Sequence, residues 1–147
     1  MNILVFLTTL ACALGLAARY GGAPERWIAA MFAVATLASH LVYAGPAQRY
    51  YTVEAYVAAV DLLLLAGITV ILAKADRFWP IALFAVHGVT VLAHVVKLFD
   101  VSIIRHAYKI AIAAPSYCAV LTLIVGTLRH RQRLRTIGVD LDWSQSA

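Results

Sequence analysis

The stretch Trp79–Asp100, WPIALFAVHGVTVLAHVVKLFD, is apolar enough to cross a bilayer, yet it carries His87, Thr90, His94 and Lys97. At ~100° per residue these four positions fall within one narrow stripe of an α-helix, and Val, Leu, Ile, Phe and Ala make up the rest of its surface. Such a stripe cannot face lipid cheaply, so it has to face other protein, a cofactor or a wet cavity. The spacing therefore predicts a helical bundle that covers this face.

The remaining sequence supplies the cover. Of the 147 residues, 63% are hydrophobic and only 13% charged, where an ordinary soluble domain carries ~25% charged residues. Apolar segments run over about 2–18, 26–44, 53–73, 79–99 and 106–128. Each is long enough for a hydrocarbon core of ~30 Å. The separators are short (RYGGAPER, the Gly45-Pro46 break with QRYYT, KADRF), so neighbouring helices run antiparallel. Residues 1–135 are thus expected to form an all-α bundle of five transmembrane helices, and residues 136–147 a short polar cytoplasmic tail. Pro115 in the fifth segment predicts a kink. Ala11 with Gly15, Ala85 with Gly88, and Ala107 with Ala111 are spaced for close helix contact. Cys12 and Cys118 fall inside apolar runs and read as small packing residues. Trp27, Tyr50, Tyr51, Phe78 and Trp79 lie at segment ends, as an interfacial aromatic belt would.

Five spans put the termini on opposite sides of the membrane. Of the twelve Lys and Arg, eight (Arg19, Arg26, Lys74, Arg77, Arg129, Arg131, Arg133 and Arg135) share the C-terminal side, leaving Arg49, Lys97, Arg105 and Lys109 on the other. The positive-inside rule then gives N-terminus out and C-terminus in. No positive charge precedes the first span, which argues against a cleaved signal peptide. The basic run RHRQRLR reads as a stop-transfer anchor, and the net charge of +5 follows from helix-end residues rather than a nucleic-acid surface. The expected partners are the bilayer and other membrane subunits or a second copy. Small size and spans rich in Ala, Val and Leu point to a bacterial inner membrane.

Counted from the outer helix ends at ~1.5 Å per residue, His40 and His94 lie ~7 Å down, Asp61 ~13 Å and His87 ~18 Å, with Glu54 near the surface. Three chemistries suit these residues. A b-type haem needs two imidazoles on separate helices at equal depth, which His40 and His94 provide. A transition metal could take His40, Asp61 and His94 as a mixed N/O set, although no H-E-x-x-H pattern is present. A proton or ion path could step through Glu54, Asp61 and His87, but no titratable relay continues below His87. Against all three stands a polar seam of Glu54, Asp61, His87, Thr90 and Lys97 that only fixes how helices pack. So little extramembrane chain leaves scant surface for a soluble active site. The leading expectation is a non-catalytic accessory or assembly subunit of a larger membrane complex, or a homo-oligomer. A cofactor-binding redox subunit with its site in the outer half of the bilayer and a small transporter or channel are the alternatives. A reporter fused at Ala147 is expected to be active only if it is a cytoplasmic reporter; activity of a periplasmic one would overturn the orientation and every depth above.

Overall fold

Asn2 opens the first helix by accepting the Leu4 backbone N–H on its side chain at 3.0 Å, a standard N-cap. The computed structural model describes residues 2–42, 55–100, 102 and 104–144, and among them the chain is all-α, with no strand. The helices are α1 (Ile3–Tyr20), α2 (Ala23–Val42), α3 (Ala55–Lys74), α4 (Trp79–Phe99) and α5 (Arg105–Thr136). By length and composition α1, α3, α4 and α5 can each cross a membrane. Polar residues near both ends of α2 (Glu25 and Arg26, Ser39 and His40) dilute its apolar stretch, and it falls short of that standard.

α4 has the bounds its apolar run implies, and the other helices differ. α2 begins at Ala23 rather than near 26, because Gly22-Ala-Pro-Glu is itself a helix start. Pro24 tolerates a first-turn position, and the Glu25 carboxylate reaches back to accept the Gly22 N–H at 3.0 Å. The expected limits at 44 and 53 lie outside the described residues, as do Glu54, Tyr50 and Tyr51. The largest correction concerns the fifth segment. α5 does not stop near Leu128 but continues through RHRQRLR to Thr136, with Pro115 inside it. Arginines suit the negative end of a helix dipole. Gly138, with φ at 83°, then takes the left-handed conformation of a C-cap and turns the chain back.

Each helix packs on its neighbours in sequence, α5 closes the ring against α1, and α2 touches α5 across the middle. The apolar core gathers toward the end where α1 finishes and α2 begins. It contains Ala13 and Ala17 of α1, Ile28 and Phe32 of α2, Ile68 of α3 and Leu83 of α4, closed by Leu123 of α5. The small residues that allow close approach are not the expected pairs. Ala11 and Gly15 are exposed, and nothing lies within 4 Å of a Cβ placed at Gly15 or Gly88. Gly126 serves instead: a Cβ there would sit 2.8 Å from the Trp79 indole. Cys12 and Cys118 are free thiols on the outer surface, not packing residues.

Residues 137–144 of the polar tail fold onto the bundle end around Arg77, which is buried together with Glu25. The Arg77 guanidinium pairs with both oxygens of Glu25 and donates to the Leu141 carbonyl at 3.1 Å, with Asp140 and Asp142 each 3.3 Å away. Trp79 donates its indole N–H to Glu25 at 3.0 Å, so this residue is a core group rather than part of an aromatic belt; Trp27 and Phe78 remain exposed. Asp142 accepts the Ala23 N–H at 3.1 Å, and Asp140 accepts from Arg133 at 2.8 and 3.1 Å and pairs with His130. Trp143 packs on the core, and the Ser144 N–H reaches the Lys74 carbonyl at 2.9 Å. Removing one partner of a buried ion pair typically costs about 3–5 kcal/mol, because the other charge is left stranded.

Partial burial raises the Asp140 carboxyl, but hydrogen bonds from Arg133 and His130 and the charges of Arg77 and Arg133 outweigh it and hold it below its ordinary value. A carboxyl depressed in the folded state adds stability above its unfolded pKa, and that stability is lost as pH falls through the folded value. The docked tail should therefore hold from neutrality down to about pH 4, the ordinary Asp value, and release below it. Tryptophan fluorescence in a Trp27→Phe background, then arising from Trp143 and the neighbouring Trp79, should report the release. Asp140→Asn should already be loosened at neutral pH and show little further change; an acid transition identical to wild type would contradict this assignment.

Candidate functional site

The stripe on α4 faces inward. His87, Thr90, His94 and Lys97 are the polar residues that this helix buries, while Leu92 on the opposite side is exposed. Helical periodicity alone sets this division, since a residue every three or four positions returns to the same face. Across from the stripe stand Asp61, two turns into α3, and Tyr108, in the first turn of α5.

Three of these groups form a chain. One His94 ring nitrogen, Nε2, lies 2.9 Å from Asp61 Oδ2, and the other, Nδ1, lies 2.6 Å from the Tyr108 hydroxyl. An ionised carboxylate only accepts, so Nε2–H donates to Asp61 and Nδ1 accepts the phenolic O–H. The imidazole and phenol rings meet edge to face at 81°, their centroids 5.7 Å apart. His87 donates from Nε2 to the Asp61 backbone carbonyl at 3.0 Å, and the same nitrogen is 3.9 Å from Asp61 Oδ1. Lys97 brings its ammonium to 5.9 Å from the centre of the Tyr108 ring. Thr90, between the two histidines, is buried with a hydroxyl that finds no partner among the described residues. Asp61 retains 18% side-chain exposure against 3% for His94, so the chain has one less buried end.

The cluster thus joins α3, α4 and α5 through one imidazole. Asp61, His87, Thr90, His94 and Lys97 come together, whereas His40 lies exposed near the end of α2 and Glu54 is outside the described residues. Among the described residues no three His, Cys, Asp or Glu side chains are gathered as a metal centre requires. Iron or zinc at His94 would have to displace Tyr108 or Asp61, because both ring nitrogens are engaged. Chemically, the arrangement can hold a proton on Asp61, His94 or Tyr108 and pass it along the hydrogen bonds.

Tyr108 is the member that the sequence reading omits. The α4–α5 link turns the chain near Asp100, so positions a few residues before and after it meet at one level, and His94 and Tyr108 are such a pair. The same reading omits Glu25, Arg77, His130, Asp140 and Asp142, whose network sits at the opposite end. No protein-family model, curated protein or solved structure matches this chain.

Because Asp61 and Tyr108 act on one imidazole, their contributions are expected to be non-additive. Asp61→Ala should destabilise the bundle by on the order of 1 kcal/mol and Tyr108→Phe by about 0.6 kcal/mol, the range of polar contacts between membrane helices. In denaturant unfolding from micelles, the double variant should lose less than the sum. Strict additivity would show that the chain does not act as a unit.

Proposed function

We propose that the chain is an integral membrane protein of five spans, N-terminus out and C-terminus in, in a bacterial inner membrane. In this reading it acts as a non-catalytic accessory or assembly subunit of a larger membrane complex, or as a homo-oligomer. The observation that carries the reading is that key polar groups are engaged between helices: His94 uses both ring nitrogens within the bundle, and Glu25 answers Arg77. Groups so engaged fix helix positions and offer no open coordination position. Burial of Glu25 also removes the main obstacle to α2 as a fifth span, since its charge is held by protein rather than exposed to lipid. The uncovered notches at Gly15 and Gly88 lie on outward faces of α1 and α4, where another helix can approach.

A second reading, proton handling in transport, is favoured by the partial exposure of Asp61 at one end of a titratable chain. The haem and metal readings require His94 to give up a partner it already has.

The test is a tagged chain expressed at native level and extracted in mild detergent. The subunit reading expects migration on a native gel well above the monomer, at fixed stoichiometry, with no Soret band in the reduced-minus-oxidised spectrum. A monomer would overturn it, and a stoichiometric Soret band lost in His94→Ala would replace it with the redox reading.

A further inference from the structure

The docked tail leaves five arginines at its end of the bundle without an acidic partner among the described residues. Arg77 and Arg133 pair with Glu25, Asp140 and Asp142, but among the described residues no carboxylate lies within ion-pair distance of Arg19, Arg26, Arg129, Arg131 or Arg135. Three of the five converge on Tyr20. Arg19 donates to the Tyr20 hydroxyl at 3.1 Å, Arg131 stacks its guanidinium 4.0 Å from the ring centroid, and Arg135 adds its charge at the same group. Like charges brought this close repel, and the negative ends of the α1 and α5 dipoles offset only part of that repulsion.

Arg19, Arg26 and Arg131 border an open cleft of about 780 Å³ between the α1–α2 turn and α5. Its lining is of two kinds, basic and apolar: Arg19, Arg26 and Arg131 with Tyr20, and Trp27 and Ala30 of α2. Asp140 and Asp142 border the cleft too, but both are held by Arg77, Arg133 and the α2 N-terminus, and do not reach the free arginines. Trp27 is 59% exposed. It divides this cleft from a second, apolar groove of about 610 Å³ between α2 and α3, floored by Met31 and Gly67 with Lys74 at the rim.

We infer that this cleft binds an anionic phospholipid, its phosphate held by Arg19 and Arg131 and an acyl chain laid along Trp27 and Ala30. Charge complementarity and a lining that is part basic, part apolar both select an amphiphile. The guanidinium fork matches phosphate oxygens in pairs, which a lysine ammonium does not. The site lies where basic residues at helix ends meet the anionic leaflet. An acidic protein segment would satisfy the arginines but leave the apolar Trp27 and Ala30 unexplained. The inference rests on the bilayer reading above, and the experiment separates the two.

Membranes are first washed with alkaline carbonate: release of the protein into solution overturns the bilayer reading itself. Protein that stays in the pellet is purified in mild detergent and examined by native mass spectrometry with equimolar phosphatidylglycerol and phosphatidylcholine. Wild type should retain phosphatidylglycerol over phosphatidylcholine by roughly tenfold, because both lipids offer the phosphate to the guanidinium forks but only phosphatidylcholine adds a choline cation that the surrounding arginines repel. Arg19→Gln with Arg131→Gln should abolish the preference, and Arg129→Gln, outside the cleft lining, should keep it. Equal retention of the two lipids by wild type sinks the proposal whether or not the double variant folds, and so does an undiminished preference in a folded double variant. Binding of poly-glutamate or inorganic phosphate by a wild type that ignores phosphatidylglycerol would overturn it in favour of an acidic protein or a soluble anion.

Discussion

A guanidinium keeps its proton at any pH a protein survives, so a buried Arg77 forces its surroundings to supply negative charge. The rest of the bundle end is arranged around that demand. Glu25 answers it from the first turn of α2 and is oriented by the Gly22 N–H and the Trp79 indole. Trp79 reaches Glu25 because its ring lies against Gly126 of α5, and the tail reaches Arg77 because Gly22 has no side chain. A Cβ at Gly22 would stand 2.1 Å from Asp142 and 3.2 Å from Arg77. One unremovable charge thus accounts for two glycines, a buried tryptophan and the return of the C-terminal segment. It fastens the α1–α2 turn, the α3–α4 link and the residues after α5 to one another.

The opposite end uses different physics. Its hydrogen bonds centre on an imidazole, flanked by a phenol and a partly exposed carboxylate. Where Arg77 can only be neutralised by pairing, His94, Asp61 and Tyr108 can each change protonation state. Both ends connect separate helices through polar side chains, which packing of Ala, Val and Leu against lipid-like neighbours does not specify by itself.

How much of this is legible without coordinates depends on the period of the signal. The inward stripe of α4 obeys helical periodicity, so four spacings suffice to place His87, Thr90, His94 and Lys97 on one face. The bounds of α4 follow from a Trp-Pro start and a terminal Asp. Contacts between segments have no period. Nothing in the spacing couples Glu25 to Arg77 across 52 positions, or Ala23 to Asp142 across 119. Basic residues near an apolar segment read as a membrane anchor whether or not the helix continues, which is why α5 runs a further two turns than its hydropathy suggests. The small-residue pairs misled for a related reason: small residues permit close approach but do not say which face is approached, and Gly15 and Gly88 point outward.

The run RHRQRLR illustrates what the helix does to a charge cluster that is uniform in sequence. Once α5 continues through it, His130 and Arg133, three apart, share the face that meets Asp140. Arg131 and Arg135, four apart, share another face, turned toward Tyr20. The two faces have opposite electrostatic fates. The tail supplies its carboxylates to the first, and because Asp140 and Asp142 are held there by Arg77, Arg133 and the start of α2, they cannot serve the second. Satisfying the buried guanidinium thereby leaves Arg131 and Arg135 with no carboxylate at ion-pair distance among the described residues, at the end of the bundle where apolar helices give way to charge.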